Sequence, residues 1–156
     1  MADSSDATVA SLRKILTAES EPLARRFRAL FSLKHLASQQ PPTKRTIPAI
    51  EAIAAALPSP SELLKHELAY CLGQSRNPAA IVILRRSLED ENEAEICRHE
   101  AAEALGALGD EDSLPLLRRL RDSPNTPVVI RETCEIAVAR LEWQRGGGAG
   151  ESIAAS

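Results

Sequence analysis

Aromatic side chains are nearly absent from this sequence: one Trp, one Tyr and two Phe among 156 residues. Sheets draw on aromatic and β-branched residues, whereas the apolar residues here are dominated by Ala and Leu, which favour helices. Long hydrophobic runs are missing too. The longest, Ile47 to Leu57, is interrupted by Pro48 and Glu51, and a bilayer-spanning helix needs about 20 apolar residues. Cationic excess is absent: 19 Lys and Arg face 22 Asp and Glu, a net charge of -3. That balance argues against nucleic acid as the main partner and is compatible with a basic one. The three cysteines, Cys71, Cys97 and Cys134, are an odd number in helical contexts, which points to a reduced, intracellular protein without structural disulfides. The start, "MADSSDATVA", is acidic and polar rather than a secretory signal. No Gly-rich phosphate loop follows a strand, and no Ser-His-Asp or Cys-His arrangement is suggested by spacing.

A repeat is present. His66-Glu67 recurs as His99-Glu100, an offset of 33 (99 − 66), in matching surroundings, "LLKHELAYCLGQ" and "ICRHEAAEALGA". The same offset carries Leu72 to Leu105, Gly73 to Gly106, Asn77 to Asp110, Leu84 to Leu117 and Arg85-Arg86 to Arg118-Arg119. A fixed period of this length with two helices per period is the signature of an α-solenoid, because one helical hairpin cannot bury its apolar face alone. The spacing predicts helices near 6–17, 21–37, 47–56, 60–73, 78–88, 94–107, 113–121 and 127–142, an all-α chain of four hairpins. Ser59-Pro60-Ser61-Glu62 reads as a capped start with proline at the first helical position and a capping-box glutamate. Asn77-Pro78 and Thr126-Pro127 repeat the cap-then-proline pattern, and Gly73 and Gly109 sit where left-handed terminators are wanted. Residues 38–45 form a loop, since Pro41-Pro42 cannot lie inside a helix. The repeat domain is expected over 1–144, with a Gly-rich tail or linker over 145–156.

The His-Glu pairs are the candidate chemistry. Stacking requires apolar residues at equivalent positions, not imidazole and carboxylate. Helices pack about 8–10 Å apart, so a metal bonded to each imidazole at roughly 2 Å is within reach of both. Two histidines and a carboxylate form the ligand set of non-haem iron sites that leave positions open. The fourth group is free to reach a second metal, as in two-metal sites. Taken singly, a helical histidine is usually a hydrogen-bonded or partly exposed residue, and glutamate a common surface residue. The other repeats carry Phe27-Arg28 and Glu132-Thr133, or Arg131-Glu132 if shifted by one, at the equivalent place, so the solenoid itself does not demand the pair. Cys97 lies two residues before His99, but no second Cys-x-His occurs, which favours a buried thiol. Cys71 and Cys134 read as small core residues, His35 as a surface residue, and the arginine pairs as a solvated helix face.

The strings "RFRALFSLKHLA", "LLKHELAYCLGQ", "RHEAAEALGALGD" and "RETCEIAVARLEW" closely resemble deoxyhypusine hydroxylase, from about Leu23 to Trp143. The resemblance implies a HEAT-repeat di-iron monooxygenase that hydroxylates the deoxyhypusine side chain of translation initiation factor 5A, in the cytoplasm or also the nucleus. It implies two four-repeat halves facing each other across the metal site, each supplying two His-Glu pairs, with two Fe(2+) in a complete site. His66, His99 and Glu100 would then bind one iron. Glu67 would reach toward the second iron or the cationic substrate arm. The family carries four such pairs and this chain has two, so it corresponds to the N-terminal half. It is then a truncated piece of a longer chain, pairs with a separately encoded C-terminal half, or self-associates. The competing function is a non-catalytic HEAT-repeat interaction scaffold; the HEAT-like bilin lyases offer no reason for duplicated His-Glu pairs.

Overall fold

The structure, a computed structural model, describes residues 4–147. Among these the chain forms eight α-helices and no strand. They are α1 (Ser4–Thr17), α2 (Leu23–Ala37), α3 (Thr46–Ala55), α4 (Glu62–Gln74), α5 (Pro78–Glu89), α6 (Glu95–Leu108), α7 (Leu114–Asp122) and α8 (Val128–Arg145). A 3-10 turn, Glu111–Ser113, leads into α7. Each odd helix and the even helix after it form a hairpin. The even helices pack side by side, α2 on α4, α4 on α6 and α6 on α8, while α1, α3 and α5 line the other layer. Residues 38–45 connect α2 to α3 as a loop, as the proline pair requires. Of the expected 145–156 tail, residues 148–156 lie outside the described residues.

The sequence period is a burial register. In α4 the buried stripe is Leu64, Leu68 and Leu72; in α6 it is Cys97, Ala101 and Leu105; in α8 it is Ile130, Cys134 and Val138. Each stripe runs i, i+4, i+8, one face of a helix, and each begins one full period after the last. Fully burying a leucine contributes about 1.5–3 kcal/mol, so the stacked stripes fix which helix face points inward.

The helix starts differ in part from expectation. Ser61, not Ser59, caps α4: its hydroxyl accepts from the Leu64 amide at 3.2 Å, and Glu62 becomes the first helical residue. Ser59 Oγ instead accepts from the Ser61 amide, which orients that cap. Asn77 caps α5 with proline in the first turn, as the sequence suggests. At α8 the cap position is Pro127 and no side chain caps the helix, so Thr126-Pro127 does not repeat the Asn77-Pro78 device.

Of the two glycines, Gly109 ends α6 with φ 72°, a left-handed terminator. Gly73 does not; it lies inside α4, and the left-handed residue after that helix is Arg76, with φ 52°. Gly73 and Gly106 serve packing instead. A Cβ on Gly73 would stand 2.8 Å from Ala104 Cβ, and one on Gly106 would stand 2.9 Å from Ala137 Cβ and 3.0 Å from Ala137 Cα. Missing side chains therefore set the approach of α4 to α6 and of α6 to α8. Gly106→Ala is expected to destabilise the protein by about 1–3 kcal/mol through overpacking, although alanine is the better helix former by about 1 kcal/mol. Urea unfolding measures this, and a gain in stability would contradict the packing role.

Candidate metal centre

The burial register decides where the histidines point. His66 follows Leu64 by two residues, a rotation of about 200° around α4. It therefore leaves the core, and its side chain is 30% exposed. His99 stands in the same relation to Cys97 on α6. The residue before each histidine ties its helix to the preceding one. Arg98, 4% exposed, donates through Nε to the Leu88 carbonyl at 2.9 Å, near the end of α5 where carbonyls lack helical partners. Lys65 donates to the Leu57 carbonyl beyond α3 and pairs with Glu93 at 2.6 Å. Arg26 makes the corresponding bond to the Leu16 carbonyl in the first hairpin, where Phe27 follows instead of histidine.

On this scaffold α4 and α6 bring the predicted residues together. His66 Nε2 lies 2.8 Å from Glu100 Oε1, and His66 Nδ1 lies 3.5 Å from Glu67 Oε1. The donor atoms of His99, Glu100 and Glu103 all fall within 4.8 Å of one another. Glu100, only 13% exposed, is the member common to both groups. Glu103 is not among the residues that the sequence analysis singles out. Its signal is legible all the same: it follows His99 by four residues, the spacing that puts two side chains on one helix face, and its Oε2 lies 3.4 Å from His99 Nε2.

A family model described as HEAT repeats matches residues 47–137, more than half of the chain. The chain belongs to the HEAT-repeat family. It is 70% identical to deoxyhypusine hydroxylase of Phaeosphaeria nodorum over 90% of this chain and 43% of that relative. It is 72% identical to the Coccidioides immitis protein of that name, over 88% of this chain and 41% of the relative. The structure of human deoxyhypusine hydroxylase in complex with glycerol matches with a TM-score of 0.79 and 41% identity, covering 93% of this chain and 47% of that one. The chain thus spans about two fifths of the length of the curated relatives it matches. It resembles deoxyhypusine hydroxylase over most of its own length and is an all-α HEAT solenoid.

The donors of this HEAT solenoid suit a divalent ion. Two ligand atoms about 2.1 Å from one ion and at right angles stand about 3.0 Å apart. The 2.8 Å between His66 Nε2 and Glu100 Oε1 is close to that separation. Imidazole nitrogen with carboxylate oxygen is also the mixed donor set of non-haem iron. His99 opens on a groove of about 440 Å³ lined by Glu62, Glu95, Ile96 and Val129. Glu62 and Glu95 are again one period apart, so the repeat places a carboxylate twice along one rim.

Other residues settle into structural roles. His35 is exposed beside Phe31 and Leu36, away from the pairs. Arg85 is not merely a solvated cation, as the sequence suggests. It donates to Ser113 Oγ at 2.8 Å and pairs with Asp110, clamping α5 to the turn before α7. Arg118 pairs with Glu142 and Arg119 with Glu89. Among the described residues no helix is long and apolar enough to cross a membrane.

All three cysteines are buried and free. Burial pushes the Cys97 and Cys71 thiols up from 9.0 to about 12 and the Cys134 thiol up to about 11. Cys97 is a fully buried thiol packed in the core stripe of α6. The unfolded chain releases these protons near the ordinary value, the folded chain only well above it. Their contribution to stability is complete below about pH 9 and falls as pH rises toward the folded values of about 11 and 12. The native protein is expected to resist a disulfide reagent below that pH and to react at three thiols once unfolded. Rapid reaction of a native thiol would contradict this burial.

Proposed function

We propose that this chain supplies His66, Glu67, His99 and Glu100 to the iron centre of a deoxyhypusine hydroxylase. The observation that carries this is the 2.8 Å contact between His66 of α4 and Glu100 of α6. It joins two repeats at the pair of positions where sequence alone suggested ligands. Identity of 60–72% to proteins named deoxyhypusine hydroxylase supports the same assignment.

In this proposal His66, His99 and Glu100 hold one Fe(2+), and Glu67 faces the second ion or the cationic substrate arm. Iron held by these residues would supply oxygen activation for a monooxygenation, in which one oxygen atom enters a carbon–hydrogen bond of the substrate, the other leaves as water and an external reductant supplies two electrons. The protein's residues bind, orient and exclude water. The substrate is the deoxyhypusine side chain of translation initiation factor 5A, an amine-bearing cationic arm. Glu62 and Glu95, along the groove beside His99, suit its positive charge. We place the reaction in the cytoplasm, with the nucleus as a second compartment.

In this proposal the remainder of the site is supplied by a C-terminal half, carried by the same longer chain or by a separate one, or by a second copy. Leu63, Ile96 and Val129 recur once per period and are 57%, 39% and 43% exposed. Such an in-register apolar stripe beside the His-Glu pairs is a surface to be covered. A complementary C-terminal half is the partner this fits, with a second copy of the chain as the alternative. Residues 1–144 would then be the repeat domain and 145–156 the tail or linker.

The test is iron analysis, with molecular mass in solution, of this chain combined with the remaining part of a relative. Iron is expected at two ions per complete site. His66→Ala and His99→Ala are each expected to lower bound iron at least about tenfold, since loss of even an outer partner of a metal ligand costs that much. Unchanged metal content in both variants would reject the ligand assignment, and a folded, metal-free assembly would favour the scaffold function.

A further inference from the structure

The two histidines occupy the same place in successive repeats, yet they meet different partners. Glu100 follows His66 by 34 residues (100 − 66), and Thr133 follows His99 by 34 (133 − 99). Each histidine therefore reaches the same position of the next even helix. In α6 that position holds a carboxylate. In α8 it holds a hydroxyl. His99 Nδ1 lies 2.7 Å from Thr133 Oγ1, and Thr133 is only 8% exposed.

A threonine hydroxyl has a single proton to give. Thr133 Oγ1 gives it to the Val129 carbonyl, one turn back along α8, at 2.7 Å. A carbonyl can only accept, so the proton on that bond is the hydroxyl's own. Toward His99 the same oxygen can then only accept, and Nδ1 must be the donor. A neutral ring with its proton on Nδ1 has a lone pair on Nε2. That lone pair faces the carboxylate of Glu103 at 3.4 Å, within the His99, Glu100 and Glu103 cluster. An acceptor nitrogen among carboxylate oxygens is an arrangement that a cation satisfies.

We propose that Thr133 is a positioning residue: it fixes His99 in the Nδ1-protonated form and reserves Nε2 for metal. Metal-binding histidines generally hold their second ring proton against such an acceptor, which sets both the tautomer and the ring orientation. Here the acceptor comes from a repeat that carries no His-Glu pair, so the fourth hairpin contributes to the centre without supplying a ligand. The metal-binding consequence rests on the iron-centre proposal; the tautomer does not.

The experiment is long-range proton–nitrogen NMR on the 156-residue chain with nitrogen-15 histidine, at a pH about two units above the ordinary histidine pKa of roughly 6.5. His99 is expected to show a protonated Nδ1 and a bare Nε2. His66 makes its hydrogen bond through Nε2, at 2.8 Å to Glu100, whose carboxylate only accepts, so it is expected to show the opposite tautomer and serves as internal control. Thr133→Val keeps the side-chain shape and should release His99 from the Nδ1-protonated form with His66 unmoved, while Thr133→Ser should restore it. If Thr133→Val does not fold by circular dichroism, the wild-type and Thr133→Ser spectra decide. A wild-type His99 protonated on Nε2, or a folded Thr133→Val that leaves the tautomer unchanged, overturns the proposal. A correct tautomer in a reconstituted protein that holds no iron would instead sink the iron-centre assignment and leave the role of Thr133 standing.

Discussion

Burial of one stripe per even helix, repeated at the period of the sequence, is the constraint on which everything else in this molecule depends. Leu64, Leu68 and Leu72 commit one face of α4 to the core; Cys97, Ala101 and Leu105 do the same for α6. Once those faces are committed, the residue two places after each stripe begins has to leave the core. In both helices it is histidine, followed by glutamate. The contact between His66 and Glu100 is thus a by-product of hydrophobic register. A slip of one residue in either stripe would rotate its histidine by about 100° and dissolve the cluster.

Secondary interactions sharpen what the register begins. Arg98 and Lys65 secure the first turns of α6 and α4 to carbonyls at or just beyond the end of the preceding helix. Gly73 and Gly106 let neighbouring even helices close to distances that an added Cβ would obstruct. Arg85, Asp110 and Ser113 clamp the third hairpin to the fourth. Each device acts between repeats, as befits a solenoid in which every unit is stabilised by its neighbours. The site is equally an inter-repeat object, since its shortest contact joins α4 to α6 and the brace of His99 comes from α8.

Much of this was legible beforehand because it is periodic. The hairpins, the 38–45 loop, the packed cysteines and the exposed His35 all follow from spacing and residue type. What escaped was local or tertiary. Ser59 and Ser61 are two capping residues in one short stretch, and only backbone geometry selects Ser61. Gly73 reads as a helix end until the approach of Ala104 is known. Arg85 is one of a duplicated arginine pair, and its carboxylate partner lies 25 residues on in a turn. Glu103 could have been found by its four-residue spacing from His99. Thr133 stood in plain view as the departure from the His-Glu pattern, but its role needed the hydrogen bond to Val129, which no periodicity supplies.

The most direct test is diffraction at a metal absorption edge from crystals of this chain, combined with the rest of a relative and charged with ferrous ion. The expected result is an ion in contact with both His66 Nε2 and Glu100, each at about 2 Å, replacing the hydrogen bond between them. An ion held by His99 and Glu103 while His66 remains bonded to Glu100, or no ion against these side chains, would contradict a centre built across α4 and α6.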